Sequence, residues 1–259
     1  MEIARIESWL ERMNKGKSLI IRDDQYELPE LQEIFRLAGK KKLKIHLIDS
    51  GKLNPQEIET LSGLPFSFYT SDSARPDPLE LSLVSKLLLK KRGPVYYFLQ
   101  GEFDQNSPVF AIAGVFTTVF VSNRERPRDV ELLTQLSEQI SRAGSNFVYY
   151  HRGNLEEKLA ELSQKRWWLH VSNKFFDEEN EMMVLDLVKN IKKNKGQLIV
   201  HVDRSQSYYF LKLLSDNGAF LIFNTPPAEG ASKVQALEAR WLKKKLPEQA
   251  FYLYKEIMA

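Results

Sequence analysis

The chain has 259 residues, of which 43% are apolar and 27% charged, enough to bury a sizeable core. It has no cysteine, which excludes disulfides, zinc thiolate sites, iron–sulfur clusters and thiol nucleophiles. A net charge of +3, from 37 basic and 34 acidic residues, is too even to point to nucleic acid as the partner. No run approaches 18 apolar residues, and the opening "MEIARIESWLERMNKGK" carries charge throughout, so neither a membrane span nor a signal peptide is expected and the cytoplasm is the expected compartment.

In chain order, residues 2–14 read as a helix. Short apolar runs then recur, each ending in polar residues: "SLIIRDD" (18–24), "LKIHLIDS" (43–50), "FSFYTSD" (66–72), "VYYFLQG" (95–101), "TTVFVSN" (117–123), "NFVYYHRG" (146–153), "WWLHVSN" (167–173), "QLIVHVDR" (197–204) and "FLIFNTP" (220–226). A tenth, "AFYLYKEI" (250–257), is weaker. Near-continuous apolar runs of this length suit strands buried on both faces, as in parallel sheets. Segments of helical period separate several of them, over 29–42, 128–144 and 180–196. Asn54-Pro55 reads as a helix N-cap followed by an N1 proline, and Gly39, Gly93, Gly144 and Gly196 as left-handed helix ends.

Odd-numbered strands recur about every fifty residues, and so do even-numbered ones, so the twin Val-Ser-Asn stretches are corresponding strands of a β-α-β-α unit. The class is therefore α/β, with repeated βα units and a parallel sheet. The packing expected is two flavodoxin-like (Rossmann-like) domains, residues 1–143 and 144–259. A (βα) barrel with helix 2–14 at its base and a nine- or ten-strand open sheet are the alternatives.

Residues 17–143 resemble a response-regulator receiver domain. "LIIRDD" is similar to that family's first strand and acidic pair, here Asp23 and Asp24. "FSFYTSDSARPDPLEL" is similar to the third strand with its phosphoacceptor, here Asp72, and the proline four residues on, Pro76. Gln100 and Gly101 stand where the family has Ser or Thr, and Asn123 and Arg124 where it has lysine and proline, so the resemblance implies a degenerate receiver read by partners. Apart from the resemblance, the carboxylates Asp23, Asp24 and Asp72 at neighbouring strand ends repel one another, and a hard cation such as Mg²⁺ is expected to relieve this.

Ligands of parallel α/β folds bind outside the carboxyl ends of the strands. The most concentrated polar tip there is "YYHRGN": Arg152 offers a fork of donors, Gly153 admits a ligand close to the backbone, and Asn154 caps the next segment. With His151, Asn123 and Arg124 these residues are expected to bind an anionic group. His170, His201 and Asp203, with Asp49 near the same edge, form a second candidate metal set in a barrel. No glycine-rich phosphate loop and no Gly-x-Ser-x-Gly elbow is present. The expected function is a non-catalytic or weakly catalytic signalling protein that binds a protein partner or small anion. A barrel-type, metal-assisted hydrolase or lyase is the alternative.

Overall fold

In a computed structural model the described residues are 18–61, 66–90, 93–102, 104, 107, 109–112, 117–124, 126–155, 159, 162, 167–177 and 180–224. The expected helix at 2–14 and strand at 250–257 lie outside them. The described residues form nine strands, β1 (Ser18–Arg22), β2 (Lys44–Ile48), β3 (Ser67–Ser71), β4 (Val95–Leu99), β5 (Thr117–Ser122), β6 (Asn146–His151), β7 (Trp168–Ser172), β8 (Gln197–Val202) and β9 (Phe220–Phe223). The pairs β1–β2, β2–β3, β3–β4, β6–β7, β7–β8 and β8–β9 are all parallel. The connecting helices are α1 (Leu28–Lys41), α2 (Pro55–Thr60), α3 (Pro78–Lys90), α4 (Val109–Ile112), α5 (Val130–Arg142), α6 (Glu181–Lys193) and α7 (Tyr208–Asn217). None among the described residues is long and apolar enough to cross a membrane.

By its contacts the chain divides into two compact units, Met1–Val119 with Arg142–Ser145, and Phe120–Ser141 with Asn146–Ala259.

In the first unit, register assigns the two faces of the sheet. Leu19 pairs with Ile45, Ile21 with Leu47, Leu47 with Phe68 and Phe68 with Val95. All six of these strand residues join one buried cluster with Leu31, Ile34, Phe35 and Ala38 of α1, Ile58 of α2, and Val84 and Leu88 of α3. Three helices thus cover one face. The other face carries Ile20, which is 64% exposed, and His46, Tyr69 and Tyr96. Tyr69 stacks on Tyr96 with ring centroids 4.7 Å apart.

This order corrects the receiver expectation. A flavodoxin-like receiver sheet places β1 between β2 and β3. Here β2 lies between β1 and β3. Alternating βα units occur in both windings, so the spacing that suggested the family does not distinguish them.

Local rules explain the helix ends. Asn54 accepts the Glu57 amide at 2.9 Å, and the Glu57 carboxylate accepts the Asn54 amide at 2.9 Å, closing the expected N-cap of α2 as a capping box. Of the four glycines expected at left-handed helix ends, only Gly144 is there, at φ 77°. Lys42 (φ 56°) and Lys195 (φ 62°) take that conformation after α1 and α6 instead. The cost is met by hydrogen bonds that close each end, Leu43 N–H to Ala38 O and Gly196 N–H to Ile191 O, both at 2.9 Å.

Candidate functional site

The polar residues singled out in the sequence do gather at carboxyl ends of strands, and most of them are already bound to neighbouring strands. In the first unit Asp23 follows β1 and is fully buried. Its Oδ1 accepts the Ser50 amide at 2.8 Å, and its Oδ2 has no hydrogen-bond partner. Burial, reinforced by the Asp49 and Asp24 carboxylates, raises its pKa against the lowering effect of Ser50. Asp24 points elsewhere: the Arg22 guanidinium donates to both its oxygens, at 3.1 and 2.8 Å, and this holds its carboxyl below the usual range. Asp72, after β3, accepts the Gln100 amide at 2.8 Å and the Gly101 amide at 2.5 Å. The three carboxylates named for Mg²⁺ thus have separate partners, and no group of three or more potential metal ligands occurs among the described residues.

Asp49 at the tip of β2 forms a buried ion pair. Arg75 donates to both its oxygens at 2.8 Å, and the Thr70 hydroxyl donates at 2.6 Å. Arg75 is fully buried and also donates to Leu53 O and to Glu80. The sequence reading missed Arg75. The clue was an arginine just beyond the third strand, but its partner lies 26 residues back in the chain.

In the second unit the "YYHRGN" tip is built around Asn123. Its Oδ1 accepts the Arg152 amide at 2.6 Å, and its Nδ2 donates to Arg152 O at 2.9 Å. His151 Nε2 lies 2.9 Å from Asn154 O, which can only accept, so Nε2 carries the proton. Nδ1 is then the acceptor facing Asn123 Nδ2 at 3.3 Å. His151 and Asn123 therefore shape the loop. The Arg152 side chain stays exposed, as does Asn154, while Arg124 caps back through its amide to the Ser122 hydroxyl at 3.1 Å.

His170 and His201 meet on the sheet face that also bears Tyr150, with Nδ1 of the first 2.9 Å from Nε2 of the second. Tyr150 lies with its ring centroid 4.3 Å from that of His170. Burial pushes the His170 pKa down to about 3, and burial together with His170 pushes His201 well below the ordinary value. Both imidazoles are therefore neutral near pH 7. Asp203 is bound at the neighbouring strand ends. Its Oδ2 accepts the Ser172 hydroxyl at 2.5 Å, and its Oδ1 accepts Asn224 Nδ2 at 2.7 Å. One polar chain thus spans the ends of β7, β8 and β9. Asn173 supports it from below, accepting the Asp203 amide at 2.7 Å and the Arg204 amide at 3.0 Å while donating to Arg204 O at 2.9 Å.

No protein-family model matches the chain, and no curated protein matches its sequence. Among solved structures, it is similar to deoxyribose phosphate aldolase from Aeropyrum pernix, at 12% identity and TM-score 0.33, over 95% of this chain and 98% of that one. It is similar to the HpcH/HpaI aldolase from Desulfitobacterium hafniense, at 8% identity and TM-score 0.32, over 96% and 98%. It is also similar to the YdjI aldolase from Escherichia coli K12, at 14% identity and TM-score 0.32, over 99% and 91%. The order of β1, β2 and β3 removes the receiver fold on which the expectation of a non-catalytic, receiver-like signalling protein rests.

Proposed function

We propose that the protein is an enzyme of the (βα)-barrel kind, a lyase or hydrolase, acting at the carboxyl ends of β7, β8 and β9 with Asp203 as its acid–base group. The observation that carries this reading is the chain Ser172–Asp203–Asn224, which spans three neighbouring strand ends. Two donors hold the carboxylate in one orientation, and it is only half-buried, so a substrate can reach it. The barrel part of the proposal is supported by the winding in the first unit. A right-handed crossover to the adjacent strand, repeated, keeps every helix on one face and leaves the other to be covered by curvature of the sheet.

The test is turnover of a panel of phosphorylated and carboxylated esters and β-hydroxy carbonyl compounds, followed by NMR. Cleavage of one class by the wild type, lost at least a hundredfold in Asp203→Asn, is the expected result. Equal rates in the two proteins remove Asp203 from the chemistry. In the metal-assisted form of the reading, His170, His201 and Asp203 hold a divalent cation, which requires the two imidazoles to part.

A further inference from the structure

Four side chains perform the same task at regular intervals. Asp23, Asp72, Asn123 and Asn173 each follow an odd-numbered strand, 49, 51 and 50 residues apart. Each accepts the backbone amide at the tip of the next even-numbered strand, of Ser50, Gln100, Arg152 and Arg204 in turn. Each of these clasps lies within one unit. Every clasp grips main-chain atoms, so it requires nothing of the side chain at the clasped position.

In the first unit that position carries Ser50 and Gln100, which are uncharged. In the second it carries arginine both times. Both arginines are exposed, and among the described residues neither guanidinium is paired with a carboxylate. Arg204 gives one donor to Phe176 O, which leaves most of its fork available. β6 and β8 are separated only by β7, so the two clasped positions stand about 10 Å apart. Two long side chains starting at that separation can converge on one oxyanion between them, over the end of β7 where Ser172 lies.

We propose that Arg152 and Arg204 form an anion clamp, and that the substrate carries a phosphate or carboxylate group held by it. This rests on the reading of Asp203 as the acid–base group, because it gives that site its substrate class. The anion expected from the sequence at Arg152 is retained. Arg204, found only through its equivalence in the repeated clasp, is added to it.

The test is calorimetric titration of the full chain with orthophosphate and with malonate at low salt. Saturable binding by the wild type is expected, with affinity at least tenfold weaker in Arg152→Gln and in Arg204→Gln. Ser50→Ala and Gln100→Ala, at the equivalent positions of the first unit, should bind as the wild type does. Thermal melts should be unchanged in Arg152→Gln, because the clasp does not use the side chain, and lowered only slightly in Arg204→Gln, which loses the bond to Phe176 O. No saturable binding by the wild type, or undiminished affinity in either arginine variant, overturns the clamp. Asp203→Asn should still bind the anion. Anion binding that depends on both arginines, in a protein without turnover on any of the panel, would sink the enzymatic reading and leave the clamp standing.

Discussion

The two units use the same scaffold at their strand ends and neutralise it differently. Asp49 and Asp203 each precede a clasped residue. The first is sealed by a fully buried arginine, while the second accepts from Ser172 and Asn224 and stays half-buried. The clasps divide in the same way, with carboxylates at Asp23 and Asp72 and amides at Asn123 and Asn173. An amide can both accept and donate, so Asn123 and Asn173 hold both main-chain polar groups of an arginine residue, where Asp23 holds one amide and leaves an oxygen without a partner. The contrast teaches that one edge is committed to holding the fold together, and the other keeps a carboxylate and two arginines within reach of solvent.

The largest expected effect breaks the sealed edge. Arg75→Met leaves Asp49 charged and buried without its partner, and should lower stability by about 3–5 kcal/mol in denaturant unfolding. Asp203→Asn, its counterpart, should change stability by less than about 1 kcal/mol. Equal losses would show that the two tips do the same structural work.

The next effect is pH-dependent and opposite in sign in the two units. His170 and His201 are neutral when buried, so their folded pKa values lie below the unfolded value of about 6.5. Their contribution is full above that value and is lost as pH falls below it, for His170 through a folded pKa of about 3. Melting curves between pH 7.5 and 5 should therefore fall more steeply for the wild type than for His201→Gln. Parallel curves would show that the imidazoles titrate freely.

The smallest effect concerns Asp23, whose folded pKa is raised. Its contribution is present below the unfolded carboxylate value of about 3.9 and is lost as pH rises through the folded pKa. Asp23→Asn reproduces the amide clasp of the second unit and should stabilise the protein by about 1 kcal/mol at pH 7, with the gain disappearing in acid. A loss of stability at pH 7 would mean that the carboxylate and amide clasps are not equivalent.

Much of this scaffold was legible in the chain. The recurring apolar runs announced nine parallel strands, and the repeated Val-Ser-Asn marked two of the four clasps, because strand ends and their polar caps are written locally. The other two clasps were visible only as Asp23 and Asp72, and their acidic character suggested a metal site instead. Arg204 appeared as one more polar strand tip until its backbone was seen gripped in the same way as that of Arg152.

The sequence by itself determined the alternation of buried strands with surface helices and the fifty-residue period, since both follow from hydrophobic spacing along neighbouring residues. Only the tertiary structure decided which strand lies beside which, that Arg75 finds Asp49, and that Ser172 and Asn224 share Asp203. Those pairings join residues more than twenty positions apart, and a strand's backbone bonds equally well to any parallel neighbour, so packing of side chains from distant segments makes the choice.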